Sequence, residues 1–388
     1  MNISRCIISI LFIVLTGCGG GGGSGQTVAH TVVNGTASKG LISGGTVTVF
    51  ALNANGSKGT LLGQDITKSD GSYSINIGSY VGPVTAEVSG SYTDEATGQT
   101  KTVPSSAPLR AAIGIANGNV SLAVTPLTEL AVRQAGLLTA QNITAANTLI
   151  SDMFKVDIIN TLPVAPTASA FLASQTSQAQ KDYTIALAAI SQQMKTTGSD
   201  LSSTLSALNS GISSSGMSSQ TAEAITSAIN TYIGTPANPN PANQTGITSI
   251  ASTSLQAVGS TTKILTLSLG GNSASLVKGI QATITFPSNA ALRADASGEL
   301  FASVLATTGS AGSSFLAGKF VSATALTPAL LNLGLITTGS LAAGDVITIN
   351  ADIAAGSASP AASAFVITGS TLVDANGVTV NSASIAIK

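Results

Sequence analysis

Along the chain the spacing of apolar positions changes period twice, and the changes mark three folded stretches. Over residues 31–120 short β-branched runs alternate. Val47, Val49 and Ala51 fall on one side, with Thr46, Thr48 and Phe50 on the other, the two-residue period of a strand that buries one face. Residues 73–77 read as another strand, and Asp70-Gly71 between it and Ile66 predicts a hairpin. A strand over residues 84–88 runs on to Thr93-Asp94-Glu95, expected as a polar turn.

Over residues 121–233 the period lengthens. Thr125-Pro126 offers a capping hydroxyl and a first-turn proline. Apolar residues then recur at spacings of three and four, first in Ala146, Leu149, Ile150, Met153 and Phe154, then in Tyr183, Ala186, Leu187, Ile190 and Met194. Leu201, Leu205, Leu208 and Ile212 form a third set, and Ile225, Ile229 and Tyr232 a fourth. Each predicts a helix that hides one stripe. Their polar faces carry Ser, Thr, Gln and Asn rather than charge, which suits a compact bundle better than coiled coils.

Residues 234–250 open with Gly-Thr-Pro-Ala-Asn-Pro-Asn-Pro, read as an unstructured Pro/Asn linker. Strands return over residues 251–388, at 264–269, 279–287, 301–306, 346–353 and 365–367, with a last hairpin turning at Asp374-Ala375-Asn376-Gly377. Residues 323–341 are apolar, but Pro328, Asn332 and Gly334 interrupt them, so they read as loop and strand rather than a membrane span. The expected fold is multi-domain α+β, with two antiparallel β-sandwiches separated by a helical bundle segment.

The first residues follow another pattern. Arg5 precedes an apolar run from Cys6 to Leu15, and the small residues Thr16 and Gly17 precede Cys18, the layout of an export signal too short to span a bilayer. Leu15-Thr16-Gly17-Cys18 resembles the lipobox of bacterial lipoproteins. The resemblance implies cleavage of residues 1–17 between Gly17 and Cys18, and a diacylglycerol on the Cys18 thiol. Two or more acyl chains give stable anchoring, at about 0.8 kcal/mol per buried CH₂. Residues 18–30 would then be the lipidated cysteine and a glycine-rich flexible tether. Gly19, in place of the aspartate that retains enteric lipoproteins in the inner membrane, favours the outer membrane in a cell that has two.

Composition narrows the field. The 388 residues are 8% charged with a net charge of −1, so no basic patch for nucleic acid is expected. Of the two cysteines, Cys6 falls in the signal and Cys18 takes lipid, so no disulfide is expected. The mean hydropathy of +0.42 reflects abundant small apolar residues and little charge.

Two family resemblances follow from particular residues. Val33-Asn34-Gly35-Thr36, residues 42–49 and Ser69-Asp70-Gly71-Ser72-Tyr73 resemble the carboxypeptidase-regulatory-like domain, a transthyretin-like sandwich that is generally non-catalytic. Residues 126–131, 145–147 and 187–191, with Tyr183, resemble a helical region that follows such sandwiches in other bacterial surface lipoproteins. Thr285-Phe286-Pro287-Ser288, residues 344–349 and the last Asp-x-Asn-Gly turn are similar to the cohesin-like sandwich of surface and scaffolding proteins, which implies a binding or spacer module.

Candidates for chemistry are few. His30, the single histidine, leaves no Ser-His-Asp set and no His pair for a metal. Asp94 with Glu95, and Asp374 with Asn376, lack the spaced acids of a calcium loop and read as turns. Lys39, Lys58, Lys68 and Lys101 lie in a sandwich of a kind related to domains that form internal Lys–Asn bonds beside a carboxylate, here Glu87. Read from the residues alone, they are charges on solvated strand edges. Tyr73, Tyr80 and Tyr92 read as core rather than a sugar-stacking platform, and the absence of Trp weakens stacking further. The glycine runs lack the strand, spacing and lysine of a phosphate loop. The expectation is a non-enzymatic, lipid-anchored envelope protein acting in adhesion or interaction, without cofactor or metal, with a protein or glycan partner. The alternative is a scaffolding part that docks a partner protein through the C-terminal sandwich.

Overall fold

The computed structural model describes residues 30–251 and 253–388. The signal segment, Gly17, Cys18 and the glycine tether lie outside the described residues. Among the described residues the fold is mixed α+β, with six α-helices and mainly antiparallel sheets.

In the N-terminal part, β1 (Val32–Thr36) lies between β4 (Ser72–Asn76), antiparallel, and β8 (Asn119–Ser121), parallel. A second sheet runs β3 (Lys58–Ile66), β2 (Thr46–Leu52), β5 (Gly82–Thr93), with β6 (Thr100–Val103) and β7 (Leu109–Ala116) both beside β5. The alternation over β2 is real: Val47 and Val49 are buried and Thr46 is exposed. The Asp70-Gly71 turn is also real, closed by Gly71 N–H to Lys68 O, with Gly71 at φ +75°. It does not make a hairpin, because β3 pairs with β2 and β4 pairs with β1, so the turn carries the chain from one sheet to the other.

The helices are α1 (Pro126–Ala135), α2 (Ala140–Phe154), α3 (Ala168–Leu172), α4 (Gln178–Thr197), α5 (Leu201–Ser210) and α6 (Ser219–Ile233). Thr125 caps α1 in a reciprocal capping box with Thr128. Helix α5 stops at Ser210, so Ile212, expected on its apolar stripe, lies instead in a two-residue strand β9 (Ile212–Ser213) paired with β10 (Gly216–Met217). Helix α4 departs most from expectation. Every residue from Asp182 to Gln192 is buried, so the helix is enclosed on all sides rather than along one stripe.

Sheets and helices share one core. Val33 and Val47 of the strands, Leu127 and Ile150 of the first helices, and Leu187 and Ile229 of the later ones belong to a single buried cluster. The Pro/Asn stretch is ordered rather than loose. β11 (Gly234–Thr235) and β12 (Asn238–Pro239) form a short hairpin. Asn240 Nδ2 donates to the carbonyls of Thr231 and Tyr232, both at 3.0 Å, and Asn243 Nδ2 donates to those of Ile233 and Ile247. These amides satisfy carbonyls that the C-terminus of α6 leaves open, which holds the segment against the helix.

The C-terminal part has its own buried cluster. One sheet contains β13 (Thr261–Gly271), β15 (Ala290–Ala291), β16 (Leu305–Thr307), β19 (Gly344–Ile353) and β21 (Ala383–Ile387). The other runs β17 (Ser314–Val321), β18 (Leu330–Thr337), β14 (Gly279–Thr285), β20 (Val366–Val373). Phe286 stacks edge-on with Phe320 and Phe365 inside. Residues 301–304, expected as strand, form a turn that leads into β16. The hairpin expected at Asp374 forms locally, with Asp374 N–H to Val378 O, Val380 N–H to Leu372 O and an antiparallel bridge between Val373 and Thr379, beyond which β20 pairs with β14 and β21 with β13. No helix among the described residues is long and apolar enough to cross a membrane.

Candidate binding site

Most of the sequence candidates lie apart from one another. His30 is exposed at the edge of β1. Lys58 pairs with Glu87 at 3.0 Å, with the lysine half exposed, as a solvated edge should. Asp374 accepts from the backbone N–H groups of Asn376 and Val378, which makes it a turn residue. Tyr73 is buried with its hydroxyl donating to Leu122 O, and Tyr80 donates to Pro83 O.

Lys39, Asp94, Glu95, Lys101 and Tyr92 come together, contrary to the expectation of a solvated edge and a polar turn. Lys39 and Asp94 are wholly buried. Lys39 Nζ lies 2.7 Å from Glu95 Oε2 and 4.0 Å from Asp94 Oδ2, over the ring of Tyr92. It also bonds the Ser191 hydroxyl of α4, which itself donates to both carboxylates. Gly40 N–H donates to Glu95 Oε1 at 2.6 Å, and Lys101 Nζ reaches Asp94 Oδ2 at 3.2 Å. A Cβ at Gly40 would fall 2.0 Å from Thr93 O, so only glycine lets the lysine loop approach the turn. Burial works to raise the Asp94 carboxyl, but Lys39, the Thr97 hydroxyl and Lys101 together carry it below the usual carboxylate value. Burial first, then Asp94 and Glu95, push the Tyr92 phenol up. Two cations face two anions with every partner satisfied, which is what buried charge requires. The cluster staples the β5–β6 turn to α4.

A hollow of about 890 Å³, lined by Gly40, Thr93, Asp94, Glu95 and Lys195, adjoins the cluster, and a larger one lies where the helices meet the C-terminal strands. A trough of about 1240 Å³ runs along one side of α6, past Ser219, Glu223, Ser227 and Asn230. Thr235 and Asn238 of the short hairpin also line it. Gln256, Val258 and Ala354 form the facing wall, and Gln192 and Lys195 of α4 lie in it as well. The wall is held by Gly259 N–H to Met153 O at 2.7 Å and Gly356 N–H to Met217 O at 3.0 Å. Nearby, Lys155 Nζ joins Asp152 at 2.9 Å to Asp352 at 3.1 Å, and Arg293 also pairs with Asp352. Gln192 is 4% exposed. Its Nε2 donates to Thr196 Oγ1 at 3.2 Å, while its Oε1 has no partner among the described residues.

Sequence reasoning missed Ser191 and Gln192. Their signal was present, as two polar residues directly after the apolar run that ends at Ile190. The trough had no such signal, because its walls come from segments far apart in the chain. Among the described residues no group of three or more His, Cys, Asp or Glu is placed to hold a metal ion.

No family model matches this chain, and no curated protein does. Among solved structures, a 9R-lipoxygenase from Cyanothece PCC8801 aligns at 11% identity over 87% of this chain and 44% of that one, with a TM-score of 0.16. The chain spans less than half the length of that protein, and a likeness at this score carries no argument about fold or activity.

Proposed function

We propose that the protein is a non-enzymatic, lipid-anchored envelope protein that binds its target through the trough beside α6. The trough carries the reading. At about 1240 Å³ it is larger than the hollow of about 890 Å³ beside the Lys39 cluster, and Ser219, Glu223, Ser227 and Asn230 on it are exposed, whereas the charges of Lys39, Asp94 and Glu95 are matched within their own cluster. We read each pair of β-sheets as a sandwich, because each contributes inward side chains to one buried cluster. The first resembles the carboxypeptidase-regulatory-like module and the second the cohesin-like module, which fits binding rather than turnover. The Cys18 lipobox places the anchor at the mature N-terminus, with the tether between it and β1, in the outer membrane of a two-membrane cell.

A second reading, docking of a partner protein on the C-terminal sheet, is favoured by one observation. Phe315 and Ile336 are register partners on β17 and β18, 70% and 64% exposed, and so form an apolar pair on the outer face.

The anchor is tested by Cys18→Ser. The variant is expected to lose lipid labelling and to leave the membrane fraction. Membrane retention resistant to high salt would contradict the anchor.

A further inference from the structure

We propose that Asn117-Gly118 is a site of self-modification, at which the backbone rearranges with loss of ammonia and loosens its hold on β1.

The chain has four Asn-Gly steps, at Asn34, Asn55, Asn117 and Asn376. At such a step the glycine nitrogen can attack the asparagine side chain, because no Cβ hinders the approach. Hydroxide removes the glycine N–H proton and the nitrogen bonds to Cγ. The Cγ–Nδ2 bond then breaks, and ammonia leaves with a proton taken from water. Water next opens the cyclic imide at either carbonyl, giving aspartate or an isoaspartate whose main chain runs through Cβ and Cγ.

The fold closes three of these steps. Asn34 Oδ1 accepts from the Ser74 hydroxyl at 2.8 Å and Gly35 pairs with Tyr73, while a Cβ at Gly35 would collide with Leu122 O, so no ring fits there. Asn55 Oδ1 accepts from the Ser57 N–H at 3.0 Å and its hydroxyl at 2.7 Å, and Gly56 N–H is held by Asn53 O at 2.8 Å. Gly377 N–H donates to Asp374 O at 3.1 Å. The Asp374 carboxylate, bound to the Asn376 and Val378 N–H groups, also opposes an anion at that nitrogen.

Asn117 differs. It is exposed, and among the described residues neither its side chain nor the Gly118 N–H has a hydrogen-bond partner. A Cβ at Gly118, which sits at φ +65°, would meet nothing within 4 Å, so the turn has room to close the ring. Position gives the change its consequence. Gly118 O accepts the Val32 N–H at 2.9 Å, and Val32 pairs with Asn119 in the parallel ladder of β1 and β8. Isoaspartate adds a methylene to the main chain directly before that carbonyl and shifts it off the Val32 N–H.

The test incubates the full-length chain in warm, mildly alkaline buffer and follows each Asn-Gly peptide by mass spectrometry, with enzymatic methylation of isoaspartate as a second readout. Conversion at Asn117 is expected to be at least about tenfold faster than at the other three, which must wait for local opening. In denaturant the four rates should converge. Asn117→Gln, whose longer side chain closes the ring poorly, should remove the fast phase. Aged wild type should exchange the Val32 amide hydrogen faster than fresh protein. Comparable conversion at another step of the folded chain, rates that stay apart in denaturant, or a fast phase that survives in Asn117→Gln overturns the proposal. Unchanged Val32 exchange after conversion overturns the loosening of β1.

Discussion

At the scale of single residues the decisive group is Lys39, a lysine with no exposed surface whose charge is matched by Glu95 and Asp94. Lys39→Met removes one side of the pairing and leaves buried carboxylates short of a cation, a change that costs about 3–5 kcal/mol. The double change Lys39→Met with Glu95→Leu should destabilise less than Lys39→Met alone, since no stranded charge remains at Glu95. Denaturant midpoints for the two variants check this, and a double variant weaker than the single would contradict it. The same cluster sets an acid dependence. Asp94 is held below its ordinary value of 3.8 in the folded state, so its contribution is complete above that value and is lost as the pH falls through the lower folded one. Wild type should therefore lose stability below about pH 4, and Lys39→Met should show a shallower acid slope. Nothing in the sequence distinguished Lys39 from Lys58, because burial of the first depends on Gly40, Thr93 and Ser191, which the fold brings together.

At the scale of elements, much was legible locally and little of the pairing was. The capping box at Thr125, the strand over residues 46–52 and both Asp-Gly-type turns could be read because their causes lie within a few residues. Both turns were assigned to hairpins: the Asp374 turn closes one through the bridge between Val373 and Thr379 before its strands part, whereas the Asp70 turn carries the chain from one sheet to the other. Turn chemistry fixes the reversal of the chain, while pairing is decided by which edge has room. The Asn240 and Asn243 amides likewise turned a composition that reads as linker into a pinned segment. Helix α4 gives the sharpest test. Its stripe predicted an exposed side, yet Ala188 and Ala189 have no exposed surface. Ala189→Gln should overpack the core by about 1–3 kcal/mol, with a further penalty for its amide, and should lower the melting temperature markedly. A variant that melts with wild type would show that side of α4 to be open.

At the scale of the whole molecule, two buried clusters meet at a seam that also shapes the trough. Lys155 bridges Asp152 of α2 and Asp352 of β19, and Thr262 N–H donates to Asp152 as β13 begins. Lys155→Met should therefore uncouple the two parts, so that calorimetry resolves two transitions where wild type gives one. A single unchanged transition would show that the bridge does not couple them.

The central claim is that an anchored protein engages the envelope through this seam, and filling the trough tests it most directly. Ser227 is exposed on α6 and lines the trough, so Ser227→Trp blocks it without entering the core. Sedimentation with isolated envelopes, using protein released from its lipid by Cys18→Ser, should bring down the otherwise unchanged chain and leave the Ser227→Trp form in solution. Equal sedimentation of the two folded proteins would contradict the account.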